Sequence, residues 1–122
     1  MYQKRPSDGE LDKKLKAARA ALTAQNGLYV NVSKVVGELY ALEIESPDQI
    51  WKLILALLDE ITPGDYVGAR PPLKSYEKVI ENQELFAFCW DSTKFGKRMY
   101  IKFALRENRY YYVSLHRSKE RV

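Results

Sequence analysis

The residues best suited to chemistry lie in the last third of the chain, on two segments whose side chains alternate between faces. In Arg98–Leu105, Met99, Ile101, Phe103 and Leu105 form one row, while Arg98, Tyr100, Lys102 and Ala104 form the other. In Arg109–His116, Tyr111, Val113 and Leu115 read as the apolar row, with Tyr110, Tyr112, Ser114 and His116 opposite. Both apolar rows must meet a core, so the pairing register is restricted to one parity. If the loop spans Arg106–Tyr110, Tyr100 lies against His116, Lys102 against Ser114, Ala104 against Tyr112 and Leu105 against Tyr111; a slip of two residues keeps the parity but shifts these partners. The outer face then gathers Arg98, Tyr100, Lys102, Tyr112, Ser114 and His116 on two neighbouring strands.

That set matches the needs of one reaction. Cleavage of RNA through its own 2′-hydroxyl requires a group to take the hydroxyl proton, a cation on the phosphate and an acid for the leaving 5′-oxygen. His116 supplies an imidazole, the side chain type suited to acid or base work near neutral pH. Tyr100 can orient or donate a proton, Lys102 and Arg117 can neutralise the phosphate, and Arg70 can close over it from a long loop. The same residues also suit a plain solvated sheet face, on which tyrosine is a good strand former and Lys and Arg protect an exposed strand. Cys89 reads as a small buried hydrophobe, and Phe86, Phe88, Trp90 and Trp51 as core.

The elements that must hold this face follow from periodicity. A helix is expected over Glu10–Gln25, capped by Ser7 or Asp8, with Leu11, Leu15, Ala18 and Leu22 inward and Asn26-Gly27 ending it. Residues 1–9 are expected to fray. Leu28–Val32 reads as a bridge or short strand. Ser33 is expected to cap a second helix to Leu42 with Val35, Val36, Leu39, Tyr40 and Leu42 inward. Ser46-Pro47-Asp48-Gln49 starts a third helix, apolar nearly all round, to Glu60. Thr62-Pro63-Gly64-Asp65 breaks it, and Tyr66–Asn82 is an extended loop. Strands are expected over Glu84–Trp90, Arg98–Leu105 and Arg109–His116. The expected fold is therefore α+β in one domain of 122 residues: a helical part over 10–60, a loop over 61–83, and antiparallel strands over 84–117, with the helices packed on one face.

Composition narrows the classes further. The net charge is +4, but from Lys94 onward nine basic residues face only two acidic ones. A field so concentrated favours an anionic partner, nucleic acid first. One cysteine and one histidine leave no thiolate pair for a structural zinc, so no metal or other cofactor is expected. No apolar run approaches membrane-spanning length and the N-terminus lacks a secretory signal, so no membrane partner and a cytoplasmic location are expected.

Three segments resemble the MqsR-type messenger-RNA interferase toxins of bacterial toxin–antitoxin systems, within the RelE-like group. "ITPGDYVGARPP" at 61–72 resembles the segment leading into that family's catalytic region. "GKRMYIKFAL" at 96–105 is similar to its Gly-x-x-x-Tyr-x-Lys strand, and "YYVSLHR" at 111–117 to its closing strand, with His116 where the family often has Lys. The resemblance implies an endoribonuclease acting on mRNA, alone or on the ribosome, and held inactive by a cognate antitoxin protein. Tyr100 and Lys102 match that strand's pattern; combined with the hairpin face, the leading expectation gives Tyr100 and His116 proton handling or orientation, and Lys102, Arg98 and Arg117 phosphate contact, with Arg70 closing over the RNA. The rival expectations are a non-catalytic RNA- or single-strand-binding module and an inactive interaction protein of the same fold.

Overall fold

The structure, a computed structural model, describes residues 6–46, 49–68 and 78–118. Three helices precede most of a four-stranded sheet, giving the expected α+β fold. The elements are α1 (Asp8–Thr23), β1 (Gly27–Tyr29), α2 (Val32–Ala41), α3 (Ile50–Leu58), β2 (Phe86–Ser92), β3 (Lys97–Arg106) and β4 (Arg109–Arg117).

Helix α1 starts two residues earlier than its periodicity suggests, because Ser7 and Glu10 form a reciprocal capping box that draws Asp8 and Gly9 into the first turn. Leu11, Leu15, Ala18 and Leu22 are buried as the spacing requires. Its end differs from expectation. Gln25 takes the left-handed conformation (φ 63°), and the N–H groups of Gln25 and Asn26 bond the carbonyls of Leu22 and Ala21 in a Schellman closure. Gly27 is not the cap. It opens β1, where a Cβ would come within 2.8 Å of the Trp51 ring.

The sheet order is β1-β4-β3-β2. Strands β2, β3 and β4 form the expected antiparallel meander. The fourth strand is the correction: Gly27–Tyr29 pairs in parallel with Tyr110–Tyr112, which makes the sheet mixed. A sequence reading could see that this short apolar patch wanted a strand partner, but its direction depends on where α1 delivers the chain.

The hairpin between β3 and β4 is tighter than a five-residue loop. Glu107 and Asn108 both have positive φ, as a two-residue type I′ turn requires, and Arg106 pairs with Arg109. This sets Leu105 against Tyr110 and Ala104 against Tyr111, not Tyr111 and Tyr112. The parity of the first half of β4 is thereby reversed. Tyr110 and Tyr112 turn to the helices at 0% and 1% exposure, and Tyr111 turns outward. Val113, which has no partner residue on β3, is a bulge that restores the anticipated register, with Ile101 against Leu115 and Tyr100 against His116.

The core lies between the helices and one sheet face. Ile50, Ile54, Leu57 and Leu58 of α3 meet Phe88, Met99, Ile101, Phe103 and Leu115, all fully buried. On α2, Val35 and Leu39 are buried, but Val36 and Tyr40 are not; they stand 62% and 86% exposed. The cap of α2 is Asn31, whose side chain accepts from the Lys34 N–H, not Ser33. The start of α3 at Pro47-Asp48 falls outside the described residues, while the N–H of Gln49 bonds the Ser46 carbonyl. Beyond α3, the Glu60 carboxylate accepts from Trp90 Nε1 (2.8 Å), Ser92 Oγ (2.7 Å) and the Lys94 N–H (2.9 Å), tying the helix end to the β2–β3 turn. Burial opposes its charge, but those bonds and one from the Thr93 backbone outweigh it and hold the carboxyl below its usual range.

Candidate nucleic-acid interface

The face of the sheet turned away from the helices has two halves. Near the type I′ turn, Tyr111, Ala104 and Ile80 form a small second core, with Val30, Leu85 and Val113 packed against it. The Lys78–Ile80 turn therefore covers part of a face that the alternation alone leaves open. The other half carries the titratable residues.

Strict alternation in β2 and β3 positions that half. Phe88, Trp90, Met99 and Ile101 point to the core, so Cys89, Asp91, Arg98, Tyr100 and Lys102 lie on the opposite face. The register then builds cross-sheet rows: Cys89–Tyr100–His116, and beside it Ala87–Lys102–Ser114. Tyr100 and His116 stack, with ring centroids 4.9 Å apart and planes at 17°. His116 Nδ1 lies 2.7 Å from the Arg117 carbonyl oxygen. A carbonyl can only accept, so Nδ1 carries a proton and the neutral ring presents its lone pair at Nε2.

The electrostatics suit an anion. Burial, reinforced by Cys89, pushes the Tyr100 phenol above its ordinary value and keeps it a neutral donor. Burial, reinforced by the charge of Lys34, pulls the Lys102 ammonium below its ordinary value. Two cations are thus held close enough to disfavour each other, an arrangement that a bound anion relieves. Arg98 is exposed and pairs with Asp91 at 3.2 Å.

The anticipated set is thus partly assembled. Tyr100, His116, Lys102 and Arg98 share one face. Tyr112 leaves it: the tight turn sends the ring into the core, edge-on to Trp51 at 6.5 Å. Ser114 is buried, and its hydroxyl donates to Glu38 at 2.7 Å. Arg117 pairs with core-facing Met99, so its exposed side chain belongs to the other parity at the strand end. Arg70 lies outside the described residues.

Sequence reasoning missed Glu38, Lys34 and Asp91. Glu38 is the most consequential: it accepts from the Tyr112 hydroxyl (2.6 Å), the Ser114 hydroxyl (2.7 Å) and the Leu115 N–H (3.0 Å). Strand β1 stops opposite Tyr112, so the Leu115 N–H lies beyond its reach and α2 supplies the acceptor instead. The available signal was a carboxylate one residue before buried Leu39, on a helix otherwise nearly free of charge.

Among the described residues no group of three or more His, Cys, Asp or Glu comes together to hold a metal, and no helix is long and apolar enough to cross a membrane. Compared with protein-family models, curated proteins and solved structures, the chain matches none of them.

Proposed function

We propose that the outer face of β3 and β4 binds single-stranded RNA and cleaves it, as expected of a toxin mRNA interferase that acts in the cytoplasm and is neutralised by an antitoxin. The stacked Tyr100–His116 pair, with His116 Nδ1 tied to its own backbone and Lys102 one pair along the strands, carries this reading. Nε2 of His116 accepts the proton of the ribose 2′-hydroxyl. The freed oxygen attacks the adjacent phosphorus, and the 5′-oxygen departs with a proton from the Tyr100 phenol or the imidazolium. Lys102 and Arg98 stabilise the charge gathering on the phosphate oxygens. The products are a 2′,3′-cyclic phosphate and a 5′-hydroxyl, and no redox partner or co-substrate enters the balance.

Purified protein incubated with a single-stranded RNA should yield cyclic-phosphate ends, and His116→Ala and Tyr100→Phe should abolish them while leaving the far-ultraviolet spectrum unchanged. Lys102→Met should weaken RNA retention and reduce the slope of log affinity against log salt by about 0.7, the release expected for one single-strand phosphate contact. RNA that is retained but stays intact would refute cleavage and leave a binding module, for which the same ring pair is a stacking platform. RNA neither bound nor cut would refute both.

A further inference from the structure

Helix α2 presents to solvent a face that carries no charge. At 3.6 residues per turn, Val32, Val36 and Tyr40 form one row and Ser33, Gly37 and Ala41 the adjoining row. All six residues are exposed, Val32 at 63%, Val36 at 62% and Tyr40 at 86%. The only two charged residues of the helix, Lys34 and Glu38, lie on the other flank, where Glu38 bonds β4. A solvated helix face is ordinarily where charge collects, so a contiguous apolar row there marks a contact surface.

Gly37 is the second observation. It sits in the middle of a ten-residue helix, where glycine is among the poorest helix formers. Its φ is not positive, and a Cβ built on it meets no atom within 4 Å. Nothing within the described residues calls for glycine at this position. A second helix crossing closely at this point does, since small residues let two backbones approach.

The two ends of the face identify the occupant. The N-terminal end has the positive pole of the helix and no acidic residue in its first turn. The C-terminal end has no basic residue in its last turn and runs into a shallow groove lined by Val36, Tyr40, Ile44, Glu43 and Glu45. One end is electropositive and the other electronegative, so the face is complementary to itself when inverted.

We propose that α2 is a self-association surface on which a second copy of this chain packs its own α2 antiparallel, with the two-fold axis beside Gly37. Val36 then meets its symmetry mate, Val32 meets Tyr40 of the other copy, and Glu43 and Glu45 face the N-terminal end of the opposite helix. This is an isologous contact, closed at two copies. It is independent of the RNA reading, because it uses none of Tyr100, Lys102 or His116.

Sedimentation of the full chain from about 1 µM to about 1 mM should show the mass rise from 14.2 kDa toward twice that value. Gly37→Leu and Val36→Lys should hold the protein at the monomer mass at every concentration, with helical content and cooperative unfolding retained. Gly37→Cys should form a covalent dimer on mild oxidation, because two residues flanking a two-fold helix crossing fall within disulfide reach, and Cys89 is buried. A wild-type chain that stays monomeric throughout overturns the proposal. So does a dimer that survives both Gly37→Leu and Val36→Lys, or one in which Gly37→Cys fails to cross-link. A monomer that instead takes up an unrelated apolar helical peptide on this face would assign the surface to a different partner.

Discussion

Removing the Glu38 carboxylate should cost far more stability than removing an ordinary exposed acid. Glu38→Ala strands three donors at once: the Tyr112 hydroxyl, the Ser114 hydroxyl and the Leu115 N–H. Tyr112 and Ser114 are 1% and 3% exposed, so water cannot readily replace the lost acceptor without opening the packing around them. Each hydrogen bond to a charged group contributes about 1.5–3 kcal/mol, and bonds sharing one acceptor do not add fully, which gives about 3–5 kcal/mol for the set. A chain of 122 residues has a total stability of about 6–18 kcal/mol, so this one carboxylate accounts for a large fraction of it. At about 2.1 cal/mol/K per residue, the loss lowers the melting temperature by about 12–20 °C. Glu38→Gln keeps an acceptor oxygen and an amide to which a rotated hydroxyl can bond, so it should cost only about 1–2 kcal/mol. Urea unfolding followed by tyrosine and tryptophan fluorescence reads both variants. An alanine variant within about 1 kcal/mol of the parent would show that the bulge in β4 holds itself without α2, and would refute the reasoning.

Three further outcomes follow from the core. Burial raises the Tyr110 phenol far above its ordinary value, and burial together with the bond to Glu38 does the same for Tyr112. The neutral phenols therefore contribute stability that is whole below the ordinary tyrosine value near 10 and is lost as pH climbs from there toward the folded-state values, by up to about 1.4 kcal/mol per pH unit for each ring. Tyr112→Phe and Tyr110→Phe should each flatten that alkaline decline in urea titrations. Near neutrality they should part: Tyr112→Phe costs about 1–2 kcal/mol, whereas Tyr110→Phe is neutral or stabilising, because its hydroxyl is buried with no hydrogen-bond partner among the described residues. Gly27→Ala should destabilise by about 1–3 kcal/mol in a thermal melt, since the new methyl lands 2.8 Å from the Trp51 ring, itself stacked on Tyr29 at 4.8 Å.

The parts of this fold that local rules control were legible in the sequence. The spacing Leu11-Leu15-Ala18-Leu22 locates the buried side of α1, and the alternation Met99-Ile101-Phe103 locates the buried side of β3. The pairing of Tyr100 with His116 and of Lys102 with Ser114 was anticipated from a longer loop and is reached instead through a tighter turn and a compensating bulge. What failed depended on one-residue decisions. Glu107 and Asn108 can both take positive φ, so the turn closes on two residues and Tyr112 leaves the outer face. Only the bulge at Val113 brings His116 back to it. Val36 and Tyr40 misled because an apolar side chain on a helix signals burial against something, without saying whether that something lies in the same molecule. Glu38 was invisible because its partners are 74, 76 and 77 residues away, and no local pattern encodes such a meeting.

β4 comes last among the strands in chain order, yet it lies inside the sheet, with β3 on one side and β1 on the other. During synthesis, α1, β1, α2 and α3 leave the ribosome before the segment that must join them, and β1 has no hydrogen-bonding partner until Tyr110–Tyr112 emerges. The nascent helices must therefore wait with their oily sides uncovered, a window in which a chaperone or another protein can bind. A stop codon anywhere before Leu115 would strip the Glu38 carboxylate of its full set of donors and leave the assembly open along its middle, so even a short C-terminal truncation into β4 should be degraded in the cell instead of persisting as a slightly smaller protein.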